Sequence, residues 1–223
     1  IHPDGTFLGA FDSTKGDPDA GFAEADLVLE HTYTAQRQEH GYMEPDAGFS
    51  YMEGDTLVMI TASQNVFHDQ RMAVRALGIP AEKVRVISAT VGGAFGGKDG
   101  HMTQLFGALV TLKTGKPAKI VFDREESIAD TYKRHGMEIR VKMGFKKDGT
   151  ITAFDGGALI DTGAYVGYGY SVLGLMTEHL PGPYKIDNIR LHSELCYTNK
   201  SPASAFRGFG APQGNFATES LIS

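Results

Sequence analysis

A glycine-rich segment at residues 92–99, GGAFGGKD, has the residue types of an anion-binding loop. It follows a predicted strand, precedes a predicted helix, and contains G-x-x-x-x-G-K, which is most of a phosphate-binding P-loop. Such a loop binds an anion through free backbone N–H groups at a helix N-terminus. The residue after Lys98 is Asp99, however, where a P-loop needs a hydroxyl group for magnesium. This mismatch disfavours nucleotide binding, and a tight turn explains one or two of the glycines but not all four.

A second candidate is the segment AFRGFGAPQG at residues 205–214, where Arg207 stands between two phenylalanines and several glycines. Aromatic faces with one fixed guanidinium group suit a flat, polar ligand. The alternative is a surface arginine in a flexible loop. The glycine spacing does not match a dinucleotide-binding fingerprint.

A third candidate is Ser63-Gln64-Asn65, at the end of a predicted strand. An amide at a strand end can hydrogen-bond a ligand, but capping of the following helix is the commoner role. Asn65 is well placed for that role.

Short strands and helices position these segments. Alternating and β-branched residues predict strands at 26–34, 56–62, 83–91, 118–123, 137–145, 150–160 and 188–198, with a hairpin turn at Asp148-Gly149. Helical spacing and glycine or proline stops predict helices at 66–77, 101–113 and 171–180, from Gln213 onward, and a capped turn or helix after Asp123. We expect an α+β fold with mixed sheets, packed helices and glycine-rich loops, and no boundary between two folding units.

The composition excludes several classes of protein. The 223 residues carry 21 basic and 27 acidic side chains, a formal charge of −6, which argues against a general nucleic-acid binder. No apolar run approaches the roughly 18–20 residues that a membrane-spanning helix needs. The single cysteine, Cys196, cannot form an intrachain disulfide, an iron–sulfur cluster or a cysteine-rich zinc site. We expect a cytoplasmic protein whose electron carriers, if it uses any, lie outside this chain.

The two ends of the chain predict a piece of a longer protein. The chain starts at Ile1 without a signal-peptide pattern, and its last residues, NFATESLIS, have the pattern of a helix cut short. We expect residues 1–223 to be a single fragment with residues 1–24 as a leading linker segment. We also expect few side chains to hold the two glycine-rich loops.

An ordered series of segments resembles the molybdenum hydroxylases, the family of xanthine dehydrogenases, aldehyde oxidases and their bacterial relatives. These segments are QEHGYMEP (38–45), TASQN (61–65), LGIPAEKVRV (77–86), VGGAFGGKD (91–99), DREES (123–127), YKRHGMEIRVKMGF (132–145) and TNKSPASAFRGFGAPQG (198–214). Their order and spacing make the resemblance specific, and it covers most of the chain. It implies the N-terminal half of the molybdopterin-binding region of a xanthine dehydrogenase-like large subunit.

The resemblance also implies roles for particular residues. In this family, an amide hydrogen-bonds an oxygen ligand of molybdenum and a glycine-rich backbone approaches the molybdopterin; the matching positions are Gln64, Gly93, Phe95 and Gly96. The implied substrate contacts are Asp99 and Arg207. Xanthine-oxidising members have glutamate where this chain has the shorter Asp99. A carboxylate and an arginine across a flat aromatic pocket suit a purine-type N-heterocycle better than a simple aldehyde.

The implied reaction is hydroxylation of an electron-poor C–H with oxygen derived from water. The family's general-base glutamate corresponds to a position beyond Ser223, so the resemblance implies no catalytic residue and no direct metal ligand in this chain. Iron–sulfur clusters and FAD would lie on other domains or subunits. The implied partners are these units, the remaining half of the molybdopterin-binding subunit and a small-molecule substrate, without nucleic acid or membrane. The fragment alone would be inactive.

Two other interpretations stay open. One is a non-catalytic interaction module of the same fold, which would lack the downstream glutamate. The other is a P-loop nucleotide-binding domain, which the carboxylate of Asp99 disfavours.

Overall fold

The computed structural model describes residues 2–100 and 103–223. Within these residues the strands are β1 (Phe7–Lys15), β2 (Leu27–Ala35), β3 (Ala47–Glu53), β4 (Thr56–Thr61), β5 (Val84–Ser88), β6 (Ala118–Val121), β7 (Gly136–Phe145), β8 (Ile151–Asp161) and β9 (Ile189–Cys196). The helices are α1 (Pro18–Ala23), α2 (Val66–Leu77), α3 (Thr103–Thr114), α4 (Arg124–Asp130), α5 (Gly169–His179) and α6 (Ala211–Ile222). This content confirms the expected α+β fold.

The chain forms two compact units. The first combines the residues up to Gln38 with Lys133–Ser223, and the second is Glu39–Tyr132. The expectation of no boundary between folding units is therefore wrong. The first unit is discontinuous along the chain, and no composition shift or linker marks the points where the chain leaves it and returns.

The first unit contains a five-stranded mixed sheet in the order β1-β9-β8-β7-β2. Strands β8 and β9 are parallel, and the other neighbours are antiparallel. The parallel pair needs a crossover, which includes α5. Helices α5 and α6 supply Val172, Leu173, Met176 and Ala217 to the core beneath the sheet.

Strand β7 explains why this sheet has one buried face. Met137, Ile139, Val141 and Met143 are buried in the core, whereas the intervening Glu138 and Arg140 are exposed. Successive side chains of a strand point to opposite faces, so this alternation assigns one face to the core. Each fully buried side chain of this type contributes about 1.5–3 kcal/mol.

Residues 1–24 are not a leading linker, contrary to the expectation. Strand β1 pairs with β9 along its length, and α1 begins at a capped end where Asp17 accepts a hydrogen bond from the Ala20 N–H at 3.0 Å. The alternation rule missed β1 because it is an edge strand with mostly exposed side chains. Its pairing partner lies far away in sequence.

The second unit contains a four-stranded sheet in the order β5-β4-β3-β6. The parallel strands β4 and β5 are joined through α2, and the core residues are Leu57, Met59, Ala73, Val84, Leu105 and Ala108. Strand β3 was not predicted, because small and polar residues replace the usual apolar ones where it meets α3. A Cβ on Gly48 would lie 2.9 Å from the Gln104 Cα, and Ser50 Oγ lies 2.8 Å from Thr111 Oγ1.

The remaining predicted helices and strands are present, and their first and last residues differ from the predicted ones by at most a few positions. The helix predicted at 101–113 is α3, and its first two predicted residues lie outside the described ones. The helix after Asp123 is α4, which begins with a capping box between Asp123 and Glu126. Over residues 2–100 and 103–223, no helix has both the length and the apolar character needed to span a bilayer.

Candidate functional site

The loop at residues 92–99 lies between β5 and α3 and packs on residues 40–44 of the same unit. Lys98 anchors it: the residue is only 3% exposed, and its Nζ donates hydrogen bonds to the Glu44 carboxylate at 2.7 Å and the Glu44 carbonyl at 2.9 Å. The Gly92 N–H donates to the same carboxylate oxygen at 2.7 Å. One carboxylate therefore ties both ends of the loop. The lysine that a P-loop would offer to a phosphate is buried and paired, which argues further against nucleotide binding.

The electrostatics of Glu44 follow from these contacts. Burial alone would raise the pKa of its carboxyl, but hydrogen bonds from Lys98 and Gly92 outweigh burial and hold the pKa below its ordinary value. The Lys98 ammonium also lies 4.6 Å from the centre of the Tyr42 ring. The ionised Glu44 carboxylate is therefore the form that holds the loop at neutral pH.

Glycines are needed in the loop because its backbone runs against other groups. A Cβ on Gly92 would lie 2.5 Å from the Glu44 Cβ. A Cβ on Gly97 would lie 2.7 Å from Tyr42 Cε1 and 3.0 Å from the His40 Cγ. Larger residues at either position would push the loop away from residues 40–44.

Gln64 joins the end of β4 to this loop. Its Oε1 accepts hydrogen bonds from the backbone N–H groups of Gly96 at 3.0 Å and Lys98 at 3.3 Å. These two bonds fix which end of the amide faces the loop. The side chain is exposed, and no described residue accepts a hydrogen bond from Nε2. Gln64 therefore offers a fixed N–H donor to a ligand, while Asn65 caps α2 as predicted, accepting from the His68 N–H at 3.1 Å.

Phe95 has a backbone conformation that is uncommon for its residue type. Its φ is +55°, between glycines with φ of +97° at Gly93 and +103° at Gly96. The left-handed region costs an L-residue about 1–2 kcal/mol, and such strain concentrates at functional sites. Phe95 is also 47% exposed. Gly96 bonds to Gln64 and follows Gly93 and Phe95 in the same loop; the role of these four residues as cofactor contacts stays a prediction.

Asp99 lies at the end of the loop beside α2. Its Oδ1 is 3.3 Å from the His68 Nδ1. The adjacent Asp69 is buried, and burial is the main cause that raises the pKa of its carboxyl, with the Asp99 charge adding to the effect. Burial, again with Asp99, also raises the pKa of Tyr132. Asp99 is therefore part of a group of ionisable side chains.

Arg207 lies in the first unit, in the loop before α6, and its side chain is exposed. The next three residues, Gly208, Phe209 and Gly210, have φ of +91°, +46° and +91°. A Cβ on Gly208 would lie 2.5 Å from the Pro212 Cγ, and one on Gly210 would lie 2.6 Å from the Met176 Cβ. Both glycine-rich loops therefore carry one phenylalanine in the left-handed region.

This second loop is held by a buried arginine. The Arg134 guanidinium lies 3.6 Å from the centre of the Phe206 ring, and its Nη2 donates to the Arg207 carbonyl at 3.1 Å. Its Nη1 donates to the Gln213 Oε1 at 3.0 Å. Together with the contacts between Glu44 and Lys98 at the other loop, these contacts show that the expectation of few side chains holding the loops is wrong.

The structure brings five of the six predicted site residues into one unit and leaves Arg207 in the other. Sequence reasoning missed Glu44, His68 and Arg134. Each of them lies in or next to a segment that the sequence analysis singled out. Glu44 lies in QEHGYMEP, His68 lies in the first turn after the predicted Asn65 cap, and Arg134 lies in YKRHG. Their partners could not be assigned, because those partners lie far along the chain.

The chain is similar to proteins of known family. The family model described as "Molybdopterin cofactor-binding domain" matches residues 1–223. A probable xanthine dehydrogenase subunit of Bacillus subtilis is 41% identical over 223 residues, which are 100% of this chain and 30% of that protein. The nicotinate dehydrogenase large molybdopterin subunit of Eubacterium barkeri is 42% identical over 205 residues, 92% of this chain and 48% of that protein.

A solved structure shares the fold. The aldehyde oxidoreductase of Desulfovibrio gigas superposes with a TM-score of 0.89 at 30% identity, over 97% of this chain and 24% of that one. The chain therefore spans less than half the length of each of these proteins.

Proposed function

The chain belongs to the family of molybdopterin cofactor-binding domains, and we propose that it forms part of the molybdenum-cofactor site of a xanthine dehydrogenase-like oxidoreductase. Residues 1–223 would be the N-terminal half of the molybdopterin-binding region. The observation that carries the proposal is the geometry of Gln64. Its carbonyl oxygen is occupied by two loop N–H groups, and its amide nitrogen remains as a fixed donor beside the strained Phe95.

The residues of the loop suit such a cofactor. No group of three or more His, Cys, Asp or Glu side chains that could hold a metal ion occurs in the part of the chain that the structure describes. We propose that an organic carrier supplies the ligands of the metal at this loop. A polar, oxygen-rich carrier can accept a hydrogen bond from the amide of Gln64, and the glycines let the backbone approach it closely.

Each predicted residue then has a role. Gln64 donates through Nε2 to an oxygen of the cofactor, and the backbone at Gly93, Phe95 and Gly96 lies against it. When bound, the cofactor supplies the two-electron oxidation. Asp99 and Arg207 contact the substrate, with the carboxylate accepting from ring N–H groups and the guanidinium donating to ring oxygens or a substrate carboxylate.

We propose an N-heterocycle, of purine or related type, as the substrate that is hydroxylated with water-derived oxygen. The two relatives named for their substrates, xanthine and nicotinate, support this class. Asp99 is one methylene shorter than the glutamate of xanthine-oxidising members, so nicotinate belongs in the first panel beside xanthine and hypoxanthine. Electrons would leave through iron–sulfur and FAD centres elsewhere, since one cysteine cannot hold a cluster. A cytoplasmic location completes the proposal.

The test uses the full-length parent protein purified with its partners. We expect near-stoichiometric molybdenum by elemental analysis. Gln64→Glu keeps an acceptor for the Gly96 and Lys98 N–H groups but removes the donor, so turnover should fall by roughly 100- to 1,000-fold with loop hydrogen exchange unchanged. Gln64→Ala should lose both, and Asn215→Asp, an exposed amide-to-acid change on α6, is the matched control.

The outcomes separate the parts of the proposal. Absence of molybdenum, in a host that loads another molybdenum hydroxylase, would favour the non-catalytic interaction module. Full molybdenum with unchanged turnover in Gln64→Glu would remove Gln64 from the site and leave the cofactor assignment standing.

A further inference from the structure

Arg134 connects three parts of the first unit. Its backbone N–H donates to the Gln38 carbonyl at 2.9 Å, just before β7 begins. Its guanidinium reaches the Arg207 carbonyl and the Gln213 side chain. Gln213 in turn donates through Nε2 to the His135 carbonyl at 3.2 Å. The start of β7, the loop before α6 and the first turn of α6 therefore share one hydrogen-bonded centre.

The charge of Arg134 has no counterion among the described residues. The residue is 9% exposed, and burial lowers its pKa with no carboxylate among the described residues to offset that effect. Burying a cation without an opposite charge is unfavourable compared with an apolar side chain of the same size. Stability alone does not account for an arginine at this position.

The shape of the guanidinium does account for it. The planar group stacks on Phe206 at 3.6 Å and at the same time donates in two directions. Lysine has a single nitrogen and no plane, so it cannot stack and donate to both acceptors at once. The contacts at Arg134 thus require an arginine.

The loop that Arg134 holds needs such restraint. Three consecutive residues, Gly208 to Gly210, have positive φ, and the middle one is Phe209. Strained backbone of this kind persists only where the surroundings over-determine it. The N–H groups of Phe209 and Ala211 bond within the loop and first turn, to the Phe206 and Gly208 carbonyls. The Arg207 carbonyl belongs to the peptide group directly before Gly208, the first residue with positive φ, and it accepts a hydrogen bond from Arg134.

We propose that Arg134 is a positioning residue: by fixing the Arg207 carbonyl and the Phe206 ring, it sets the direction in which Arg207 and Phe209 are presented to the substrate. This rests on the proposed function of Arg207. Arg134 acts through the loop and does not itself touch the substrate. An orientation error of the order of 1 Å at such a contact reduces turnover by roughly 100-fold.

The first test does not depend on activity. Hydrogen exchange is measured by mass spectrometry on the full-length holoenzyme with Arg134→Lys and Arg134→Met. We expect the amides of residues 206–211 to exchange roughly tenfold faster or more in both variants, with those of β7 beyond Ile139 unchanged. Arg140→Lys is the matched control, because Arg140 is on the same strand but pairs with Asp155 on the exposed face. Unchanged exchange at 206–211 in Arg134→Lys would overturn the proposal.

The second test is a double-mutant cycle with Arg207→Ala, assayed with xanthine, hypoxanthine and nicotinate. If Arg134 acts through Arg207 and Phe209, Arg134→Lys should lower kcat/KM by roughly 10- to 100-fold in the native background and by much less in Arg207→Ala. A merely structural defect would lower both backgrounds equally, and that additive result would refute the positioning role while Arg207 stays in the substrate site. A normal kcat/KM in Arg207→Ala itself would instead refute the proposed function of Arg207, and with it this role of Arg134.

Discussion

Glu44→Ala should loosen the loop at residues 92–98 more than Lys98→Met, although the two residues form one ion pair. The reason is the unequal burial of the partners. Lys98 is 3% exposed, whereas the Glu44 side chain is 35% exposed. Removing the carboxylate leaves a buried ammonium, and removing the ammonium leaves a carboxylate that water can reach.

The magnitudes follow from the contacts that remain. In Glu44→Ala the Lys98 ammonium retains, among the described residues, only the residue-44 carbonyl and the Tyr42 ring. Removing one member of a buried pair costs about 3–5 kcal/mol. In Lys98→Met the Glu44 carboxylate keeps the Gly92 N–H and is partly solvated, so the loss is about 1–2 kcal/mol. The double variant lacks the stranded charge, and we expect it to be more stable than Glu44→Ala alone.

The assay is hydrogen exchange of the amides of residues 92–98 in the full-length protein, which measures the free energy of local opening. At about 1.4 kcal/mol per tenfold change, Glu44→Ala should raise the exchange rate by roughly 100- to 3,000-fold and Lys98→Met by roughly 5- to 30-fold. Glu178→Ala, which removes an exposed carboxylate on α5, is the control. Two outcomes would refute this explanation. One is an equal increase of the exchange rate in the two single variants. The other is a double variant whose loss of opening free energy equals the sum of the two single losses.

Two further predictions concern packing and pH. Gly97→Ala places a methyl group 2.7 Å from Tyr42 Cε1, so the loop should shift and the molybdenum content of the full-length protein should fall. Gly174→Ala, whose Cβ meets nothing within 4 Å, should leave the content normal, and a fully loaded Gly97→Ala protein would contradict the packing argument. Burial, with the Arg37 and Arg134 charges, lowers the pKa of His135 to about 4 from an ordinary value of 6.5. The unfolded chain therefore binds more protons between these values, and stability should be lost as pH falls from 6.5 towards 4, by up to about 3 kcal/mol. Thermal denaturation against pH should show a smaller loss in His135→Gln, and identical pH profiles would exclude His135 as the cause.

Much of the fold and the candidate site was predictable because it depends on local signals. Asn65 and Asp123 cap helices a few residues ahead of them, and Asp148-Gly149 turns a hairpin. The glycine-rich loop could be located because four glycines and a lysine follow a β-branched strand. The edge strand β1 and the small-residue strand β3 were missed, since neither shows an apolar alternation.

The sequence by itself determined which segments are candidates for the proposed cofactor site: the Gln64 amide, the loop at 92–99 and the Arg207 loop. Only the tertiary structure decided which charges meet. Lys98 pairs with Glu44, which is 54 residues away, and the Arg134 guanidinium bonds to the Arg207 carbonyl, which is 73 residues away. A cap or a turn is fixed by neighbours within one turn of chain, and so it can be recognised from a few letters. A buried cation finds its partners only after the sheets pack, so the pairing of Lys98 with Glu44 was settled by the fold rather than by the pattern.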